Sequence, residues 1–104
     1  MKPQFLFHDN KDNVGVAVVE IKAGEKIVGS CLEDGKQITL EAKEGIPLGH
    51  KVALSTIKKG ESVTKYGITI GQAKETIAVG QHVHVHNIKS NRTVLTAISK
   101  EFIL

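Results

Sequence analysis

The sequence predicts one small all-β domain with short, irregular strands and at most one short helical turn. Three observations carry this. Hydrophobic residues make up 40% of the chain, yet it holds three Phe, one Tyr and no Trp, so the core must be built from Val, Ile, Leu and Ala. The β-branched members of that set suit a pleated, half-buried surface. Second, a pattern Ile-x-x-Gly-x-x-Val/Ile recurs at Ile21 to Ile27, Ile46 to Val52, Ile57 to Val63 and Ile77 to Val83. It reads as a tight turn with glycine at a position needing positive φ, flanked by apolar residues that plug the core and start a new strand. The glycines are unevenly spaced, which excludes a solenoid of fixed period. Third, Glu33-Asp34-Gly35-Lys36 separates two strand-like runs and carries the Asp-Gly signal of a hairpin.

Taken in order, the strands fall between those turns. They are expected over 4–7 (Gln-Phe-Leu-Phe), over 14–21, which is rich in Val, over 26–32 leading into the Asp-Gly hairpin, and over 37–42 returning from it. Three more are expected over 51–57, 62–65 and 82–88, each beginning just after a turn glycine. The stretch 68–76 departs from the rule, and Gly71-Gln-Ala-Lys-Glu-Thr76 is expected to form one helical turn as a connector. The tail 91–104 is ambiguous: Val94, Leu95, Ile98 and Phe102 fit a helical face, whereas its Thr and Ile favour a strand. Its apolar ending, Phe102-Ile103-Leu104, is costly unless it docks on the domain or on a second chain, such as another copy in a homo-oligomer. The organisation expected is a domain over 1–90 and a tail over 91–104.

At 104 residues the chain can bury a modest core and no second catalytic domain. Its net charge of +3 comes from 14 basic residues dispersed among 11 acidic ones. That is no nucleic-acid footprint, which would cluster Lys and Arg with aromatics. Cys31 is the one cysteine, so an internal disulfide is excluded and a reducing compartment suits the chain. Cys31 itself reads as a small buried hydrophobe of the strand 26–32. A basic-then-apolar leader is missing and no apolar run approaches the roughly 18 residues that span a bilayer. The expectation is a soluble, cytoplasmic protein without membrane or nucleic-acid partners.

The run His82-Val83-His84-Val85-His86-Asn87 holds three of the five histidines. On a strand, alternation sends all three rings to one face, with Val83 and Val85 anchoring the other. Imidazoles ligate metals and titrate near neutral pH, so His82, His84 and His86 are candidate metal ligands and His84 and His86 candidate proton-transfer groups. The competing reading is a solvated strand face. Same-face neighbours lie about 6 to 7 Å apart along a strand, so one metal would take His82 with His84 or His84 with His86. The outer pair, about 13 Å apart, could share one only across a bend. The remaining ring would be left for proton transfer or an anion.

Three strings, Ile46-Pro-Leu-Gly-His-Lys-Val-Ala-Leu54, Lys65-Tyr-Gly-Ile-Thr-Ile-Gly-Gln-Ala73 and Gly80-Gln-His-Val-His-Val-His-Asn87, occur in an order that resembles the N-terminal SAF domain of the altronate and galactarate dehydratase family. They are also similar to the small subunit of sulfolactate sulfo-lyase. The resemblance runs from about Phe5 to Asn87 and implies a β-clip fold. It further implies a lyase that removes water, or sulfite in the sulfo-lyase branch, from a hydroxylated acid, with a divalent metal such as iron held here or on the partner. In such enzymes most of the sequence lies in a large second region, so the implied partners are a large lyase subunit or domain and a small hydroxy-acid substrate.

Elimination from a hydroxy acid needs a base beside the carboxylate, an acid for the leaving hydroxyl and a cation for the developing enolate. The histidine row offers a base or metal ligands. Lys51, next to His50, can pair with a carboxylate, and Tyr66 can donate from its hydroxyl with Lys65 beside it. His50, Lys51, Tyr66 and Asn87 are therefore candidate substrate-binding residues. Each has a plainer reading: His50 and Lys51 as solvated turn residues, Tyr66 as a strand-end ring, Asn87 as a turn marker. His8 and Asp9 form a further pair that could complete a metal site. A non-catalytic β-clip module that binds carbohydrate or protein remains the alternative.

Overall fold

The computed structural model describes residues 2–90. The expectations for 91–104 lie outside the described residues. Nine strands follow one another: β1 (Phe5–Phe7), β2 (Val14–Ala17), β3 (Lys26–Cys31), β4 (Gln37–Glu41), β5 (Lys51–Ala53), β6 (Ser62–Lys65), β7 (Ile68–Ala73), β8 (His82–Val83) and β9 (Ile88–Ser90). Among the described residues there is no helix, and the small curled all-β architecture is that expected of a β-clip domain. A six-stranded sheet has the order β4-β3-β1-β2-β5-β8 and a three-stranded one the order β6-β7-β9. All pairs are antiparallel except β1 with β3.

All four Ile-x-x-Gly units adopt one conformation. In each the Ile is buried and makes an isolated bridge, Ile21 with Ile46 and Ile57 with Ile77. Each glycine lies at φ between 85° and 88°: Gly24, Gly49, Gly60 and Gly80. A new strand starts two residues on. Gly80 is doubly constrained, since a Cβ there would also collide with the Glu41 carbonyl.

The bridges expose a duplication. Ala17, Ile21, Ile27, Ala42, Ile46 and Val52 belong to one core cluster, and Ala53, Ile57, Val63, Ala73, Ile77 and Val83 hold the corresponding places in a second. The backbone repeats the same bonds in both halves. The Gly24 and Gly60 amides donate to the Ala42 and Ala73 carbonyls, and those alanines donate back to Glu25 and Glu61. Likewise the Gly49 and Gly80 amides donate to Ala17 and Ala53, which donate back to His50 and Gln81. Phe5 and Phe7 complete the first core, where Gly29 and Gly15 leave room for the Phe5 ring. Ile70 and Ile88 help complete the second.

Three expectations need correction. The strand over 82–88 stops at Val83: residues 84–87 form a turn in which the His84 carbonyl accepts from the Asn87 and Ile88 amides, each at 3.1 Å. Val85 is consequently 55% exposed rather than an anchor in the core. The helical turn expected at 71–76 is absent, because 71–73 belong to β7, gripped between β6 and β9. Ladder bonds on both sides override the local helical preference. The strands over 14–21 and 51–57 end early, at Ala17 and Ala53, where the chain leaves the ladder to reach the bridging Ile21 and Ile57. Cys31 is buried in β3, as its hydrophobic reading requires.

Candidate functional site

The site lies where the two halves meet, at the pairing of β5 with β8, with Lys51 opposite Val83 and Val52 opposite His82. Turn 47–50 delivers His50 from one side. The turn that follows β8 delivers His84 and His86 from the other. Asn87 makes that turn: its Oδ1 accepts the His84 amide at 2.9 Å and its Nδ2 donates to the His82 carbonyl at 2.8 Å. Its side chain is 4% exposed, so both ends of the amide are engaged by backbone. The bend folds the histidine run back on itself and brings the His82 and His86 ring centroids to 5.3 Å.

His50 is the residue around which the rings gather. Its Nδ1 lies 2.9 Å from His82 Nε2, so one nitrogen carries the proton and the other accepts it. Its ring stacks on His84 with a centroid distance of 4.4 Å. One nitrogen each from His50, His82 and His84 lie within 4.8 Å of one another, and all three residues are half-buried. His86 is exposed and outside that set. Burial, first, and then the neighbouring His50, His86 and His84 charges hold the His82 imidazole below its ordinary pKa, against the opposing pull of Glu44. His84 is lowered likewise by burial and then by His50, Lys51 and His86. Both rings therefore favour the neutral form, with a free lone pair, at neutral pH. His84 Nδ1 is buried with no hydrogen-bond partner among the described residues.

Lys51 is 2% exposed and has no ion-pair partner among the described residues. Burial and then the Lys65 charge lower its pKa to about 8. A buried cation without its anion is costly, and here it lies close enough to His84 and Lys65 to shift one and be shifted by the other.

Tyr66 falls in a second group. Tyr66 and Gly67 form the two-residue β6–β7 turn with φ of 52° and 75°, values of the primed turns that close hairpins. The Tyr66 ring meets His8 edge-on at 6.3 Å and lies 5.6 Å below the Lys65 ammonium. Lys65 thus neighbours Tyr66 and also acts electrostatically on Lys51. His8 and Asp9 gather with Glu33 rather than with the histidine cluster.

Sequence reasoning missed three residues that shape this region. Buried Asp12 accepts the His8 and Gly67 amides, each at 2.7 Å, tying the N-terminal loop to the Tyr66 turn. Glu44 accepts the His82 amide at 2.8 Å. Pro47 begins the turn that bears His50. Pro47 had a readable signal, since it is the one proline within the four repeated turns; the Asp12 bond to Gly67 and the Glu44 bond to His82 span long sequence separations and had none.

The fold, with its cluster of imidazoles gathered on His50, is that of a small all-β domain. The chain belongs to the altronate/galactarate dehydratase SAF-domain family, whose model matches residues 3–91. It is 41% identical over 93 residues to the (2R)-sulfolactate sulfo-lyase subunit alpha of Chromohalobacter salexigens, covering 88% of this chain and 99% of that one. It is 39% identical over 87 residues to the altronate dehydratase of Bacillus subtilis and 41% over 80 residues to that of Escherichia coli. Those matches cover 84% and 77% of this chain but only 16% and 15% of the dehydratases. Among the described residues no helix is long and apolar enough to cross a membrane.

Proposed function

We propose that this chain is the small subunit or N-terminal domain of a lyase that eliminates water from a hydroxylated carboxylic acid such as altronate or galactarate, and that it forms one wall of the site against a larger partner. The observation that carries this reading is buried Lys51, whose ammonium has no ion-pair partner among the described residues, beside half-buried imidazoles, an arrangement that a substrate carboxylate would neutralise. The short share of the altronate dehydratases that the match covers supports a large partner. So does the apolar rim: Leu48 is 64% exposed on the turn bearing His50, and Val85 is 55% exposed between His84 and His86. The partner meets the chain on this face.

Each residue has its part in the elimination. Lys51 holds the carboxylate, and Lys65 reinforces the field that draws the acid in. His86, exposed at the rim, moves the proton between substrate and solvent. Tyr66 donates its hydroxyl to the substrate from the hairpin beyond Lys65. Asn87 fixes the turn that aims His84 and His86. The divalent metal, iron or another late first-row ion, fits the imidazole cluster: three imidazole nitrogens within 4.8 Å of one another and a buried His84 Nδ1 lacking a partner among the described residues are what such an ion takes up. When bound there, it would polarise a substrate oxygen as a Lewis acid.

A second reading, sulfite elimination from sulfolactate, is favoured by the 99% coverage of the sulfo-lyase subunit alpha. Both are tested by co-expressing the chain with the large lyase subunit and assaying elimination across altronate, galactarate and sulfolactate, with and without iron. Turnover of one acid that falls at least a hundredfold in Lys51→Met supports the reading. An assembled enzyme whose rate is unchanged by Lys51→Met and by His84→Ala with His86→Ala would overturn it, leaving a non-catalytic binding module.

A further inference from the structure

In three of the four repeated turns the residue after the glycine closes the turn with its side chain. Glu25 Oε1 accepts the Lys22 amide and Glu61 Oε1 the Lys58 amide, each at 2.6 Å, and Gln81 Oε1 accepts the Ala78 amide. The backbone bond beneath is the same in all four: Glu25 to Lys22, Glu61 to Lys58, Gln81 to Ala78 and His50 to Pro47. The fourth turn differs at two places at once. Where the others have an amide to be capped it has Pro47, which has no N–H, and where they have the capping Glu or Gln it has His50. With no donor at 47, the side chain at 50 is released from the turn and reaches across to His82 and His84.

We infer that the metal-binding set is His50, His82 and His84, with His86 outside it, and that Pro47 is the positioning residue that makes His50 available to that set. This rests on the reading that the histidines hold a cation. An amide at 47 would compete for the His50 ring, because the amides at 22, 58 and 78 each take the side chain three residues on and an imidazole Nδ1 is a competent acceptor.

The test is a Co²⁺ titration of the full chain, followed by visible absorption and by calorimetry, on the unaltered protein, Pro47→Ala, His50→Gln, His86→Gln and the double variant Pro47→Ala/His50→Gln. We expect His50→Gln to weaken Co²⁺ binding at least tenfold and His86→Gln by less than about threefold. Pro47→Ala should weaken it roughly tenfold with every imidazole retained, an effect of about 1.4 kcal/mol by the usual conversion. If His86→Gln is the more damaging of the two, the set is wrong; if Pro47→Ala binds as the unaltered protein does, Pro47 has no positioning role.

Metal-free urea unfolding supplies an independent cycle. The double variant supplies an amide at position 47 and a glutamine acceptor at position 50, the pairing that Ala78 and Gln81 already make. It should therefore be more stable than the two single changes predict, by roughly fivefold to tenfold in the unfolding constant. Strict additivity would overturn the release of position 50 by Pro47. Absence of Co²⁺ binding in every protein would instead sink the metal reading while the cycle still decides the turn.

Discussion

The two halves of the domain are built to one plan and put it to different uses. The half that begins at Ala17 and the half that begins at Ala53 share the bridging isoleucines, the turn glycines and the small alanines that let strands exchange bonds. They differ at the residues those constraints leave free. After Val52 the chain continues into Ala53 and the second core; after the equivalent Val83 it breaks into the His84 turn. Lys51 corresponds to His82 and His50 to Gln81, so the residues of the site occupy the same places in both halves and carry different chemistry in each. The scaffold is repeated and the site is not.

The comparison is broken most forcefully at the bridges. Ile46→Ala and Ile77→Ala each empty an equivalent buried position and should each cost about 2–5 kcal/mol in urea unfolding. A cost below about 1 kcal/mol at one of them would show that the halves are not energetically equivalent. Next comes Lys51. Its folded pKa of about 8 lies below the 10.5 of an unperturbed lysine, so the unfolded chain binds the proton more tightly. Between those values stability rises with pH, and below them the charged form is a standing cost. Lys51→Met should therefore stabilise the protein by about 1–3 kcal/mol at pH 7, with the gain vanishing above about pH 10.5, while hydroxy-acid binding by the assembled enzyme is lost. A gain independent of pH would contradict a buried ammonium.

Asn87→Ala removes both backbone contacts of the histidine turn and should cost about 1–3 kcal/mol, a loss to be read from thermal melts of the metal-free chain. Smallest are the turn caps. Glu25→Ala and Glu61→Ala should each cost about 0.5–1 kcal/mol, whereas His50→Ala, at the uncapped turn, loses a contact with His82 and should cost less than about 0.5 kcal/mol in a metal-free chain that already carries His82→Ala. A His50 cost in that background equal to that of the two glutamates would erase the distinction between the turns.

Much of this was legible in the sequence. The repeated Ile-x-x-Gly marked all four turns because its physics is local: a positive φ that glycine tolerates, and an apolar plug on either side. The all-β class and the Asp34-Gly35 hairpin followed from equally local signals. What escaped were features made by bonds between distant residues. Alternation of His and Val argued for a strand over 82–88, but Asn87 bonding back to 82 and 84 won over periodicity and gathered the rings that a strand would have held apart. The 71–76 stretch looked helical only while β6 and β9, which grip its first half, were unseen. His50 was read as a substrate contact, and its place against His82 depends on the β5–β8 register, which no short-range pattern encodes.

The single tyrosine has a practical consequence. With no tryptophan in the chain, Tyr66 is its dominant intrinsic fluorophore, and it sits on the hairpin whose Val63 and Ile70 belong to the second core. Its emission therefore reports on one half of the duplicated structure, whereas far-ultraviolet dichroism averages over both. Comparing the two signals during a melt asks whether an architecture built twice from one plan unfolds as one body or as two.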